Sequence, residues 1–322
     1  MVDSHRLNGA VDDSGLLGTE GAVSLDAVER VEIIRGPGSS LYGTNAFYAV
    51  VNVVTRRGGE AGWGEVRAEV GSFGTYRGTL AAGGRLPRGA EAVLSGTILR
   101  SDGPDLYFPE YDDPATNGGR DVGMDEDEAD QAFGAVRLGD FRLTAAYGAR
   151  RKVIPTGAYE VDFNDRRTHT TDRRTLIALD LEHPFHDLSR LWASASYTWS
   201  RYDGGWPYDR VLLRDFSVAD TWTAQAQYLR YVGAHTVTVG GETRWNSRLD
   251  QGAYDVDPPE TYLDDSRSGS IWAAFAQGEF RLAPRVSVFA GVRHDRYPRW
   301  GGTTNPRGAV VFSLGGEAAA KL

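Results

Sequence analysis

The chain has 322 residues, no cysteine, 40 glycines, 11% aromatic residues and a formal charge of −9. No disulfide or thiolate metal centre is available to it, and its acidic balance disfavours nucleic acid, whose phosphates require a basic surface. No stretch approaches the roughly 20 apolar residues of a membrane-spanning helix, whereas abundant glycine and aromatic residues suit a β architecture with many tight turns.

The N-terminal MVDSHRLNGAVDD has neither a basic region nor an apolar core, so it contains no export signal. Val28 to Arg57 then reads as strand, glycine-rich loop, short helical turn and strand. Val28, Val31, Ile33 and Ile34 carry the first strand, and Arg35 ends it. Gly36, Pro37 and Gly38 force a turn, because glycine admits positive φ and proline fixes its own. Ser39 to Tyr48 is too short for a free-standing helix and must pack on something. Val50 to Thr55 is β-branched almost throughout and reads as a buried strand. Gly36 and Gly38 invite a phosphate-loop reading, but Gly43 is followed by Thr44 and Asn45 rather than by lysine and a hydroxyl residue.

From Trp63 the pattern changes to strands of about ten residues that alternate apolar and polar. They are predicted at 62–72, 75–85, 89–100, 129–138, 141–151, 173–183, 190–202, 217–232, 236–247, 270–282, 285–296 and 306–314, with a thirteenth starting in 318–322. Phe141, Leu143, Ala145 and Tyr147 share one face of the fifth strand, opposite Arg142, Thr144 and Ala146. A lipid-facing wall with a wet lumen requires such a period of two. Connections alternate in length. Short turns at Gly139-Asp140, Gly233-Ala234-His235 and Ala283-Pro284 are separated by long segments near 101–128, 152–172, 203–216 and 248–269. Outer-membrane barrels place short turns inside and long loops outside. On the apolar faces Tyr147, Trp199, Trp222, Trp245 and Trp272 fall toward the long-loop ends. Phe141, Tyr228 and Phe280 fall toward the short-turn ends, which gives two interfacial girdles. A soluble sandwich would explain the alternation but neither the loop parity nor the girdles.

Ile33, Ile34, Arg35, Gly36, Pro37, Leu41, Tyr42, Gly43, Asn45, Ala46 and Val51 to Thr55 together resemble the end of the plug domain of TonB-dependent outer-membrane receptors. Tyr48-Ala49 departs from that family's glycine pair, while VDSHRLN near the N-terminus and NPRGAVVFSL near the C-terminus resemble its plug and mid-barrel segments. The resemblance implies an all-β-dominated fold: the C-terminal part of an α/β plug (1–58), then an antiparallel outer-membrane β-barrel portion (59–322) with about 12 of about 22 strands. The front of the plug, the TonB-binding segment and the later strands are expected to lie outside this sequence. The implied activity is energised uptake of a scarce nutrient, most often a ferric siderophore, with no catalysis. The implied partners are the TonB complex, outer-membrane lipid and a small nutrient ligand. A passive porin and a soluble β-rich carbohydrate-binding protein are the rival readings.

The same resemblance makes Glu29, Arg30, Glu32 and Arg35 the plug charges expected to hold the barrel wall, within a motif that includes Gly36, Pro37, Gly38, Tyr42, Gly43 and Asn45. Arg67, Glu69, Arg77, Glu242 and Arg293 are the expected wall partners. Between Ser101 and Asp130 eleven carboxylates face one base, Arg120. Asp125, Asp127 and Asp130 are candidate calcium ligands, since calcium takes six to eight oxygens; a solvated acidic loop is the plainer alternative. Arg166 and Arg167 suit an anionic ligand, and Tyr107, Tyr111 and Tyr159 either stack on a flat ligand or pack the loops together. The six histidines show no metal spacing, and no catalytic constellation emerges.

Overall fold

The computed structural model describes residues 1–35, 43, 48–59, 62–315 and 318–321. The N-terminal unit contains one antiparallel pair, β1 (Val28–Arg35) with β2 (Ala49–Thr55). Two 3-10 turns, Gly18–Glu20 and Leu25–Ala27, precede it. The Met1 ammonium donates to the Val51 carbonyl at 2.7 Å, and Val2 bridges Val53, so the first residues lie along β2. Among the described residues this unit has no α-helix, so the helical part of the expected α/β plug is not seen. Of the predicted helical turn at 39–48, only Gly43 and Tyr48 lie within the described residues.

The second sheet has thirteen strands in chain order. They are β3 (Trp63–Val70), β4 (Tyr76–Arg85), β5 (Glu91–Ser101), β6 (Asp127–Leu138), β7 (Phe141–Val153), β8 (His169–Pro184), β9 (Arg190–Tyr208), β10 (Val211–Val232), β11 (His235–Asp255), β12 (Glu260–Ala283), β13 (Val286–Tyr297), β14 (Gly301–Gly315) and β15 (Ala318–Lys321). Each pairs antiparallel with the next, as hairpins joined through short turns must. All twelve predicted strands are present, and the thirteenth follows at β15.

Two predicted loops are not loops. Most of 203–216 and 248–269 is strand: β9 and β10 turn at Asp209-Arg210, and β11 and β12 turn between Asp255 and Glu260. Gly204, Gly205, Pro207 and Gly252 suggest irregular chain, yet continuous cross-strand pairing absorbs them. The length alternation survives as hairpin height rather than loop length.

One face of this sheet is apolar and open. Val66, Leu80, Leu94, Leu143 and Ile177 are all exposed on it. Trp222 stands opposite Trp245, and Trp272 lies opposite Thr243 beside it, so a band of indole rings crosses neighbouring strands at one level. The other face corrects the expectation of a wet lumen. On β5 to β8 it carries Val93, Phe133, Ala135, Ala146, Leu176 and Ala178, which form one core with Val2, Ala22, Val23, Ala27 and Val53 of the N-terminal unit. Alternation was read correctly, but this inner face is dry around that core.

These two faces predict opposite responses to truncation. Leu176→Ala, at a fully buried site, should destabilise the protein by about 2–5 kcal/mol. Leu143→Ala on the open face should cost far less. Thermal unfolding in detergent, followed by loss of gel heat-modifiability, checks the contrast.

Candidate functional site

The N-terminal unit is seated in the concave sheet by a small set of charged and hydroxyl groups. Asp26 is the centre of the largest. Ser24 caps the turn that begins at Leu25 and donates its hydroxyl to the Asp26 carboxylate at 2.8 Å. Arg67 on β3 reaches Asp26 Oδ1 at 2.9 Å, and Arg77 on β4 pairs with Oδ2. Thr97 on β5 donates to the Ser24 hydroxyl at 3.0 Å. The Asp26 side chain is buried, and burial alone would raise its pKa. The Ser24 hydrogen bond and the charges of Arg77 and Arg67 outweigh that effect and hold the carboxyl below its ordinary value.

Four further links lie along the sheet. Asp3 accepts from the Thr55 backbone N–H and hydroxyl and pairs with Arg142 of β7 at 2.8 Å. Glu20 pairs with Arg150 of β7. His5 meets Asp180 of β8 at 3.1 Å, while Arg174 of β8 donates to the Leu7 carbonyl at 2.9 Å. Between these links the backbones touch. A Cβ on Gly148 of β7 would stand 2.3 Å from the Gly21 carbonyl oxygen, so only glycine permits this approach. Gln131 of β6 satisfies the carbonyls of Gly18 and Gly21, each at 2.8 Å.

The expected wall partners Arg67 and Arg77 therefore do hold the N-terminal unit, but Asp26 is the group they hold. Glu29, Arg30 and Glu32 instead pair along their own strand, Arg30 with Glu29 at 2.9 Å and with Glu32 at 2.8 Å. Asn52 of β2 also donates to Glu32, at 3.2 Å. Arg35 closes β1 opposite Ala49. Glu69 pairs with Arg77 at 3.4 Å, and Glu242 with Arg293 at 3.3 Å, both within the large sheet. Gly43, at φ +85, sits where a Cβ would lie 3.6 Å from Arg293 Nη2. Gly36, Pro37, Gly38, Tyr42 and Asn45 lie outside the described residues.

At the other end of the sheet, three connections form a roof. Tyr111 stacks on Phe163 at 4.3 Å, and Phe108 meets the same ring edge-on at 5.8 Å. Tyr159 packs edge-on against Trp206 at 5.3 Å but remains largely exposed. Tyr107 donates to Asp112 at 3.0 Å and is half exposed. Of the candidate ligand aromatics, Tyr111 packs loop on loop, whereas Tyr107 and Tyr159 keep open faces. Arg166 pairs with Glu126 and donates to the Gly123 carbonyl at 3.0 Å. Arg167 pairs with Asp165 at 2.6 Å and holds the Asp165 carboxyl below its ordinary range through that hydrogen bond. Asp162 accepts the backbone N–H groups of Asp209 and Arg210, each at 3.1 Å, clamping the β9–β10 turn.

The structure does not bring the calcium candidates together. Asp125 is held by Lys152, Asp127 by Arg150 and Asp130 by Arg100. Among the described residues no group of three or more carboxylate or imidazole side chains converges. The sequence reading missed Asp121, which is fully buried in the same loop. Its Oδ1 accepts from the Met124 N–H at 3.3 Å, while burial, reinforced by Asp125 and Asp105, pushes its carboxyl up. No spacing in the sequence separates Asp121 from its ten acidic neighbours.

Residues 100–318 match the family model described as TonB dependent receptor-like, beta-barrel. The iron-regulated outer membrane virulence protein of Vibrio cholerae serotype O1 is 23% identical over 308 residues, covering 90% of this chain and 42% of that protein. The chain thus spans less than half the length of this curated relative. Among solved structures, the pyoverdine outer membrane receptor FpvA from Pseudomonas aeruginosa, bound to pyoverdine, aligns over 91% of this chain and 50% of its own, with TM-score 0.71 at 14% identity. The ferric enterobactin receptor PfeA of Pseudomonas aeruginosa aligns over 93% of this chain and 48% of its own, with TM-score 0.70 at 19% identity. At such identities the structural likeness establishes the fold.

Two measurements test the site. Asp26→Asn should weaken the seating by about 1–3 kcal/mol, because two arginines lose a charged acceptor. In the unsubstituted protein the Asp26 contribution is complete above the ordinary value of 3.8 and fades as pH falls through its lower folded value. Denaturant titration over that range should find the variant's deficit shrinking toward acid. Phe163→Ala should free Tyr111 and Phe108, seen as faster proteolysis of the 102–126 connection with the strands intact.

Proposed function

The chain belongs to the TonB-dependent receptor family, and from that premise we propose that it forms the plug seat and adjoining barrel wall of an outer-membrane receptor that imports a ferric siderophore. The observation that carries this reading is the seating of the described part of the N-terminal unit against a strand wall whose other face is apolar and open. A porin-like passive barrel has no use for such an insert. The iron-regulated relative and the pyoverdine-bound neighbour supply the substrate class.

The work of such a receptor is binding and gating, not bond chemistry. The roof built from Tyr111, Phe163, Tyr159 and Trp206 gives an incoming ligand a packed platform rather than mobile loops. Exposed Tyr107 and Tyr159 offer ring faces to it. Below, the plug is held by separate polar links through Asp3, Glu20 and Asp26. A part-exposed ion pair of this kind is worth about 1 kcal/mol, because water replaces much of what is lost when it opens. Several in series hold the plug at rest, yet a pulling partner breaks them one at a time. The TonB complex on the periplasmic side is the proposed puller, and outer-membrane lipid covers the apolar face.

The test is radioiron uptake by iron-starved cells in which this receptor is the sole route for a panel of ferric siderophores. One siderophore should be taken up, and uptake should stop when TonB is deleted. Equal uptake without TonB would instead indicate a passive pore.

A further inference from the structure

The tallest hairpin, β11 with β12, rises beyond its neighbour on one side. On β12, Trp272 to Ala283 pair with β13, which turns back into β14 after Tyr297. Glu260 to Ile271 pair with β11 alone. Trp272 marks the indole level, so this segment stands outside the apolar band and rises about 30 Å at strand rise and barrel tilt. Gly269 lies beside Pro298, which closes the lower end. Above it, the outward backbone groups of β12 have no strand partner among the described residues.

An unpaired edge of this length is usually blunted by proline, lysine or a covering loop. Glu260 to Ile271 contains neither proline nor lysine. Its one base, Arg267, is taken by Asp265 at 2.6 Å. Arg248, opposite on β11, is taken by Asp250. Asp257, Glu260 and Asp264 remain exposed without a basic partner among the described residues. Tyr262 and Leu263 are also open, and a bulge at Tyr262 turns both to one face, where Tyr262 donates to Asp255 at 2.6 Å. The edge therefore combines a free ladder, net negative charge and two neighbouring apolar side chains on one face.

We infer that the outer edge of β12, from Glu260 to Ser268, is a docking strand for an extended, basic peptide segment of an extracellular protein. The partner adds a strand through main-chain hydrogen bonds. Its lysines or arginines meet Asp257, Glu260 and Asp264, and its alternate apolar residues lie on the one face that Tyr262 and Leu263 share. A second copy in the same membrane does not fit. Its β12 would run in the same inward direction and carry the same exposed Glu260 and Asp264, so the two edges could meet only as a parallel pair of like charge. This contact is separate from nutrient passage and needs no TonB.

Backbone hydrogen exchange on the complete receptor in detergent provides the test, with a peptide of about ten alternating lysine and valine residues as probe. Without peptide, the edge-facing amides of residues 261–268 should exchange freely. With peptide they should slow about tenfold or more. Glu260→Lys with Asp264→Lys should weaken binding about tenfold, or ~1.4 kcal/mol. A peptide of the same charge with proline at alternate positions should not bind. Three results overturn the inference: edge amides already protected without peptide, equal binding of the proline peptide, or protection confined to residues 101–130. None of these bears on siderophore uptake, so the two readings fail independently.

Discussion

Hydrocarbon offers no hydrogen bonds to a peptide group, and the architecture follows from that single deficit. Inside the apolar band every strand must have a neighbour on both sides, and the cheapest neighbour is the next segment of chain. Strict sequential order from β3 to β15 is the outcome. Above the band, water satisfies what a neighbour does not. Hairpins there are free to differ in height, and β11–β12 does so. The same constraint that enforces pairing within the membrane thus permits an open edge outside it.

The sheet's two faces meet different surroundings, and its side chains divide accordingly. The open face needs only apolar character, so Val66, Leu94 and Ile177 need no fixed partner. The inner face must match a particular insert. Where the plug lies, it is built from small residues, with Gly148 admitting the Gly21 backbone and Phe133 and Leu176 filling the gaps. Charged residues appear where the insert presents a complementary group: Arg142 for Asp3, Arg150 for Glu20, Arg67 and Arg77 for Asp26. Attachment is thus a dry apolar contact stitched by polar links, and the links are the part that force can undo.

The roof follows a related logic at its outer end. The three carboxylates that looked like a cation site are each consumed by a base on a strand beside β6: Asp125 by Lys152, Asp127 by Arg150 and Asp130 by Arg100. The sequence count of eleven carboxylates against one base was correct, but it stopped at the segment boundary. Charge balance in a sheet is settled across strands, between residues far apart in the chain.

What the sequence determined by itself was everything governed by local period and local turn chemistry. Alternation fixed which face of β7 is apolar, Gly139-Asp140 fixed a hairpin, and the string from Ile33 to Thr55 identified the family. Tertiary structure alone decided which residues meet. Glu29, Arg30 and Glu32 are the conspicuous charges of the motif, yet on an exposed strand they neutralise one another. Asp26, unremarked in a short turn, gains its role because Ser24 orients it and two wall arginines arrive from 41 and 51 residues away. The tall hairpins were hidden for the same reason. Glycine, proline and aspartate weaken a strand considered alone, but cross-strand hydrogen bonds supplied by distant neighbours outweigh propensity. No window along a single chain contains those neighbours.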